Sequence, residues 1–332
     1  MNKNKVHKRR TQVTKTAWRG LALAAVVCLA MVFTACSANG STAQGADSSG
    51  GPLKIVTTIA QIAEPIVVIG GEHVQVESLM GPGVDPHLYT ATQGDIRKLN
   101  NAEMILYSGL HLEANLVKVF EEIGKNRPVL ALGDAIPQEQ LLKDETGAVD
   151  PHIWFDIDLW KIALNAATEE LKQARPEHAE DFEANREAYF AKMDELKRES
   201  AEKLSRIPET KRMLVTAHDA FGYFGRMLDL KVVGLQGLST EAEIGLSDIE
   251  ETVELLLEHQ VPAVFVESSI NPASINAVIE GAKKRGLQVE RGGELFSDAM
   301  GEQGTAEGTY LGMYRHNVET IYAALSGEGT AK

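Results

Sequence analysis

From Leu53 onward the hydrophobic positions fall into two alternating rhythms. The largely apolar runs "LKIVTT", "MILYSGL" and "PVLAL" read as strands, the first as a buried one, and "HVQVESL" alternates as a strand. Between them "IAQIAEPIVVIGG" and "EANLVKVFEEIG" carry apolar residues at helical spacing, the first with an internal proline and Gly70-Gly71 at its end. Strand–helix alternation predicts an α/β unit around a parallel sheet. The rhythm resumes at "RMLVTAH". The strands "KVVGLQGLS", "PAVFVESS" and "LQVERGGEL" then alternate with the helices "SDIEETVELLLEHQ", "NPASINAVIEGAKKRG" and "GTYLGMYRHNVETIYAAL". Ser247 with Glu250 three residues on reads as a capping box.

The middle breaks the rhythm. Pro176 and Pro208 enclose a polar stretch in which Phe182, Tyr189, Met193, Leu196 and Leu204 recur at helical spacing. Its about 31 residues would span roughly 46 Å as one helix. The fold expected is therefore α/β, with two lobes of mainly parallel sheet joined by one long linking helix. The lobes are expected at 53–175 and 208–332, and the helix at 176–207. In open α/β sheets ligands bind beyond the carboxyl ends of strands, so a site is expected in the cleft between the lobes.

The start of the chain follows another logic. Met1–Gly20 holds seven Lys/Arg and no acid; the apolar run "LALAAVVCLAMVF" follows and ends in "FTAC". This reads as a secretory leader over residues 1–35. The run falls short of the ~20 residues a comfortable membrane span needs. "FTAC" resembles a lipobox, which would make Cys36 a lipid-attachment site. The Gly/Ser-rich "SANGSTAQGADSSGGP" that follows suits a flexible tether, and 36–52 is expected to serve as one. Of the two cysteines, Cys28 would leave with the leader, so no disulfide and no thiol ligand remains. With the leader's seven basic residues removed from 33, against 47 acidic ones, the net charge of −14 becomes about −21. That excludes nucleic acid as a ready partner and suits the attraction of cations.

Histidine carries the candidate chemistry. "VDPHLY" at Val84–Tyr89 and "VDPHIW" at Val149–Trp154 repeat one solution 65 positions apart. Asp-Pro fits an N-cap and first residue of a helix, presenting His87 and His152 from stiff turns. A positive helix end would keep each ring neutral, the form that binds metal. Tyr89 and Trp154 could wall the site. His218 ends a buried strand and should face the cleft, with Asp219 capping the next helix. For a fourth ligand, Asp298 in "GELFSDAMG" competes with Glu267 in "VFVESS" and Glu241 in "LSTEAE"; a carboxylate can also orient a His ring from behind. His111 and His316 read as structural or supporting, while His73, His178 and His259 read as solvated. Three imidazoles and a carboxylate suit a first-row divalent metal: zinc tetrahedrally, or manganese if the carboxylate binds through both oxygens.

These residues resemble the zinc/manganese/iron-type solute-binding lipoproteins of ABC importers. "DPHLYTATQGD", "SGLHLE", "DPHIWFD", "TAHDAFGYF", "LQGLSTEAEIG", "AVFVESS", "LFSDAMG" and "GTYLGMYRHNVETI" match that family's motifs in order, from Leu53 to about Leu325. The resemblance implies two α/β lobes, one long helix and a metal held by His87, His152, His218 and Asp298, with Glu267 and Glu241 as supporting candidates. It implies a monomeric receptor, not an enzyme, at the extracytoplasmic face of the membrane. Such a receptor would pass Mn2+ or Zn2+, with Fe2+ a third candidate, to an ABC permease and its ATPase. The segment before His152, "IPQEQLLKDETGAV", lacks the His-rich loop of many zinc-specific members, which speaks against a dedicated zinc scavenger and leaves manganese and zinc both as cargo. A dedicated zinc receptor, an adhesin lipoprotein and a metallohydrolase are the rivals. The hydrolase is disfavoured because four protein ligands leave little room for water and there is no HExxH motif. Neutral imidazoles imply that affinity falls below pH ~6.5.

Overall fold

The computed structural model describes residues 51–327; the leader, Cys36 and most of the tether lie outside the described residues. Four parallel strands form the first sheet: β1 (Leu53–Thr57), β2 (Val74–Ser78), β3 (Met104–Tyr107) and β4 (Val129–Ala131), in the order β2-β1-β3-β4. Parallel neighbours need crossovers, supplied by α1 (Ala60–Gly70), α2 (Gln93–Asn101) and α3 (Val117–Gly124). Helix α1 buries Ile62, Ile66 and Ile69, one stripe at i, i+4, i+7, and holds Pro65 within it. It stops at Gly71, whose φ of 55° is a conformation glycine adopts without penalty. Helix α2 was not expected. Its residues are mostly polar, and its clearest signal is a capping box: the Thr92 hydroxyl accepts from the Asp95 N–H (3.2 Å), and the Asp95 carboxylate accepts from the Thr92 N–H (2.8 Å).

Helix α4 (Ile157–Ala174) follows β4 after a long loop and is capped by Asp156. The long helix α5 spans Ala179–Leu204, 26 residues, after a 3-10 turn at Pro176–His178, so it stops short of residue 207. Its buried residues include Phe182, Tyr189, Met193, Leu196 and Leu204, the stripe read from the sequence.

The second lobe contains β5 (Met213–His218) paired with β6 (Lys231–Gln236), and β7 (Ala263–Glu267) paired with β8 (Glu290–Leu295), both parallel, with β5 lying beside β7. Its helices are α6 (Gly222–Leu228), α7 (Leu246–His259), α8 (Ala273–Lys284) and α9 (Tyr310–Leu325). Helix α7 begins two residues earlier than its sequence cap suggests. Gly245 is the N-cap, and its N–H donates to Asp248 (2.7 Å), so Ser247 and Glu250 form no box. The result is the expected α/β architecture of two lobes with a long helix in the middle.

The apolar interior does not divide with the lobes. One cluster of buried side chains runs from the first sheet through α4 and α5 to Phe221, Phe224, Phe265, Tyr310 and Tyr314 of the second lobe. A second cluster, around Val215, Val264, Leu256 and Val278, belongs to the second lobe alone. Among the described residues no helix is long and apolar enough to cross a membrane.

Candidate metal centre

Both Asp-Pro-His segments fold into the same Asx turn, not into helix starts. The Asp85 carboxylate accepts the His87 N–H at 2.9 Å, and the Asp150 carboxylate accepts the His152 N–H at 2.9 Å. Proline stiffens each turn between the acceptor and the histidine. A 3-10 turn, Ile153–Phe155, follows the second histidine, and α4 begins after it at Ile157 with Asp156, not Asp150, as its cap. The copies differ in where the other carboxylate contacts go. Asp150 also meets the Nδ1 of His152 at 2.7 Å, whereas Asp85 accepts the Thr240 hydroxyl of the second lobe at 2.6 Å.

His218 is the last residue of β5. Its N–H donates to Glu267 Oε1 (2.8 Å), and its ring Nδ1 lies 2.6 Å from Glu267 Oε2. Glu267 ends the neighbouring strand β7, so two strand ends deliver a ring and its orienting carboxylate together. Strand β6 passes so close behind that a Cβ on Gly234 would come within 2.4 Å of the Asp219 nitrogen. Asp298 lies in the loop after β8. Asn317 of α9 pins that loop by accepting the Phe296 N–H (2.9 Å) and donating to the Phe296 carbonyl (2.7 Å). Gln61 of the first lobe donates to the Ser297 carbonyl (3.1 Å).

The four side chains converge. Asp298 Oδ1 is 3.3 Å from His152 Nε2, and Asp298 Oδ2 is 3.3 Å from His218 Nε2 and 3.7 Å from His87 Nε2. One donor atom from each of the four lies within 4.8 Å of all the others. His87 is 3% exposed, Asp298 1%, and His152 and His218 are not exposed. All three Nε2 atoms and both Asp298 oxygens are buried without a hydrogen-bond partner. Leaving so many polar atoms unpaired in one place is costly, and a cation at their focus would satisfy them together. Trp154 walls the cluster, its ring edge-on to His152 at 5.3 Å.

The electrostatics differ ring by ring. Burial lowers His87 to about 4, with Asp298 opposing the shift. Burial acts the same way on His152, but Asp150 and then Asp298 outweigh it and raise the ring to about 9. His218 is likewise driven down by burial yet held well above its ordinary value by Glu267 and Asp298. Asp298, raised by burial, is held well below the usual carboxylate range by His218 and His152. The expectation that helix ends keep the rings neutral is thus replaced: burial favours the neutral form of His87, and the neighbouring carboxylates favour the protonated form of the other two.

The remaining expectations separate. Glu267 reaches the cluster only through His218. Glu241 is exposed and outside it. Tyr89 turns away to donate to Asp95 (2.8 Å). Asp219 caps nothing; α6 begins after Phe221 with no side-chain cap. His111 is exposed, at a left-handed φ of 68°. His316 meets the Glu294 carbonyl (2.9 Å) and the Phe296 ring, a structural role. His259 is exposed, but His73 and His178 are not simply solvated: their rings stack on one another. Sequence reasoning took Asp150 only for a helix cap. Its role as the His152 ring partner was not readable from the motif, because Asp85 in the other copy makes the same turn and sends its second oxygen to Thr240 instead.

Fold and sequence likeness together define a class, the solute-binding receptors of metal importers, which is not a class of enzymes. Residues 55–324 match the family described as zinc-uptake complex component A, periplasmic (ZnuA), and the chain belongs to that family. It is 49% identical over 304 residues to the manganese-binding lipoprotein MntA of Bacillus subtilis, covering 91% of this chain and 98% of that one. It is 45% identical over 303 residues to the zinc-binding protein TroA of Treponema pallidum, covering 91% and 97%. The solved structure of that periplasmic zinc-binding protein superposes with a TM-score of 0.82 over 83% of this chain and all of the other. Fe(III)-bound YtgA of Chlamydia trachomatis, 30% identical, superposes with a TM-score of 0.74 over 82% of this chain and 98% of its own.

Proposed function

We propose that the protein is the extracytoplasmic receptor of an ABC importer for a divalent transition metal. His87 and His152 from the first lobe and His218 and Asp298 from the second would hold the ion. The observation that carries this is the buried convergence of three unpartnered imidazole nitrogens with both oxygens of one carboxylate. The ion is cargo, and its delivery to a permease with its ATPase follows from the family. Because both Asp298 oxygens are free and face different rings, the carboxylate can bind through both and supply five donors. That favours Mn2+ as cargo, with Zn2+ the tighter competitor in solution and Fe2+ between them in affinity. A hydrolase would need an open coordination position, and donors at most 3% exposed offer no entry for a substrate. The parts read from the sequence complete the proposal: a leader over 1–35, lipid attachment at Cys36, a tether to residue 52, lobes at 53–175 and 208–332 with the linking helix between, and a monomer held at the outer face of the membrane.

The test is metal analysis of protein purified without added metal, followed by competition among Mn2+, Fe2+ and Zn2+. Near one equivalent of tightly held metal is expected. His87→Ala and Asp298→Ala should each abolish it while leaving the circular dichroism spectrum intact. Retention of stoichiometric tight metal by either variant would overturn the ligand set.

A further inference from the structure

A second set of metal-binding side chains lies outside the buried cluster and shares no residue with it. His73 closes the 3-10 turn Gly71–His73 that leads into β2; His178 closes the turn that leads into α5; Asp181 stands in the first turn of α5, three residues on and on the same face. The two rings stack with centroids 3.6 Å apart and planes 12° from parallel, and His73 Nε2 lies 3.0 Å from Asp181 Oδ2. One donor atom from each of the three lies within 4.8 Å of the other two. Phe182 packs edge-on against both rings, at 5.8 and 6.4 Å, and gives the pair an apolar floor. His73 is 17% and Asp181 62% exposed at the side chain, so an ion could arrive from solvent.

We infer that His73, His178 and Asp181 form a second, peripheral site for an imidazole-seeking divalent metal such as Zn2+. Two nitrogens and one oxygen leave at least one coordination position to water, so this site binds more weakly than the buried one. Mn2+, which prefers more oxygen donors, is expected to pass it by. The lone pairs of stacked rings lie in nearly parallel planes and do not converge, so binding requires one imidazole to splay. The positive end of α5 opposes a cation, and Glu177, Glu180 and Asp181 in the first turns offset it. Zinc and manganese should therefore bind this one chain with different stoichiometries.

Equilibrium dialysis of the purified protein against ZnCl2 and, separately, MnCl2 tests this. Two zinc equivalents and one manganese equivalent are expected. Asp181→Asn, at an exposed position that leaves the ring stack in place, and the double variant His73→Ala/His178→Ala should each lose the weaker zinc equivalent and keep the tighter one. His87→Ala should do the reverse, so failure of the buried site and failure of this one are read separately. In the unaltered protein, the imidazole NMR resonances of His73 and His178 should shift with the second zinc equivalent. A single zinc equivalent in the unaltered protein, or a second equivalent that survives the double variant, overturns the inference.

Discussion

His152 and His87 occupy the same turn, yet one ring is raised to about 9 and the other lowered to about 4. Both are buried, so burial does not separate them. Asp150 points back at its own ring, while Asp85 is turned away to Thr240. The sign of the pH dependence follows. A ring whose pKa is raised in the folded protein adds stability that is complete below its unfolded value of ~6.5 and lost as pH rises through about 9. The metal must displace that same proton, so affinity should rise between pH 6.5 and 9, by about tenfold per pH unit for each proton released. This moves the window upward from the fall below pH ~6.5 expected from free imidazole. Manganese titrations followed by electron paramagnetic resonance at pH 6.5, 7.5 and 8.5 check it; a flat affinity over that range would contradict it. Glu267 acts on the site only through His218. Glu267→Gln should weaken metal binding about 10–100-fold, the usual scale for a ligand's outer partner. Isothermal titration measures this, and the variant's unchanged zinc stoichiometry would separate loss of orientation from loss of a ligand.

Between elements, one of the contacts that join the two halves of the site is the Asp85–Thr240 hydrogen bond, 155 positions apart in sequence. Asp85 thus fixes the His87 turn with one oxygen and grips the second lobe with the other. Thr240→Val would leave one oxygen of the half-buried Asp85 carboxylate without its donor. A charge-assisted bond of about 1.5–3 kcal/mol corresponds to roughly tenfold or more in rate. Metal release into a chelator, followed by stopped flow, should quicken by about that factor with the stoichiometry unchanged. Elements were legible to different degrees for reasons of pattern. Strands β5 and β7, buried along their whole length, announce themselves by the apolar runs Met213–Val215 and Ala263–Val266. Helix α2 does not, because its buried residues are only Asp95 and Leu99 and its start rests on a side-chain cap. Helix α4 carries a readable stripe of Trp160, Leu164, Ala167 and Leu171 and an Asp156 cap, and the strand–helix alternation simply passes over it.

At the scale of the molecule, the continuity of the core sets how the receptor works. Aromatic side chains of the second lobe reach into the first: Tyr310 donates to the Trp154 carbonyl (2.8 Å) and Tyr314 to the Phe155 carbonyl (3.1 Å), next to His152 in sequence. A hinge that swung the lobes apart would break these bonds and open buried apolar surface, so loading should proceed by local movement of the His87 and Asp298 loops. Small-angle X-ray scattering should give the same radius of gyration with and without metal, and a clear compaction on loading would overturn this. Metal that binds only the folded chain should stabilise it by about 2.7 kcal/mol at a free concentration a hundredfold above Kd.

The sequence by itself determined the alternation of strands and helices and the long helix, and it marked His87, His152 and His218 as candidate donors. Each is a local matter: apolar periodicity, a proline-stiffened turn, or a residue at a strand end. Only the tertiary structure decided which carboxylate would serve which ring. Glu267, Glu241 and Asp298 look alike along the chain, and the placement of β7 beside β5 sends the first to His218 Nδ1, while the loop after β8 sends the third to the centre. It also decided the protonation of each ring and the pairing of His73 with His178. Those depend on distances between segments far apart in sequence, which no local pattern encodes.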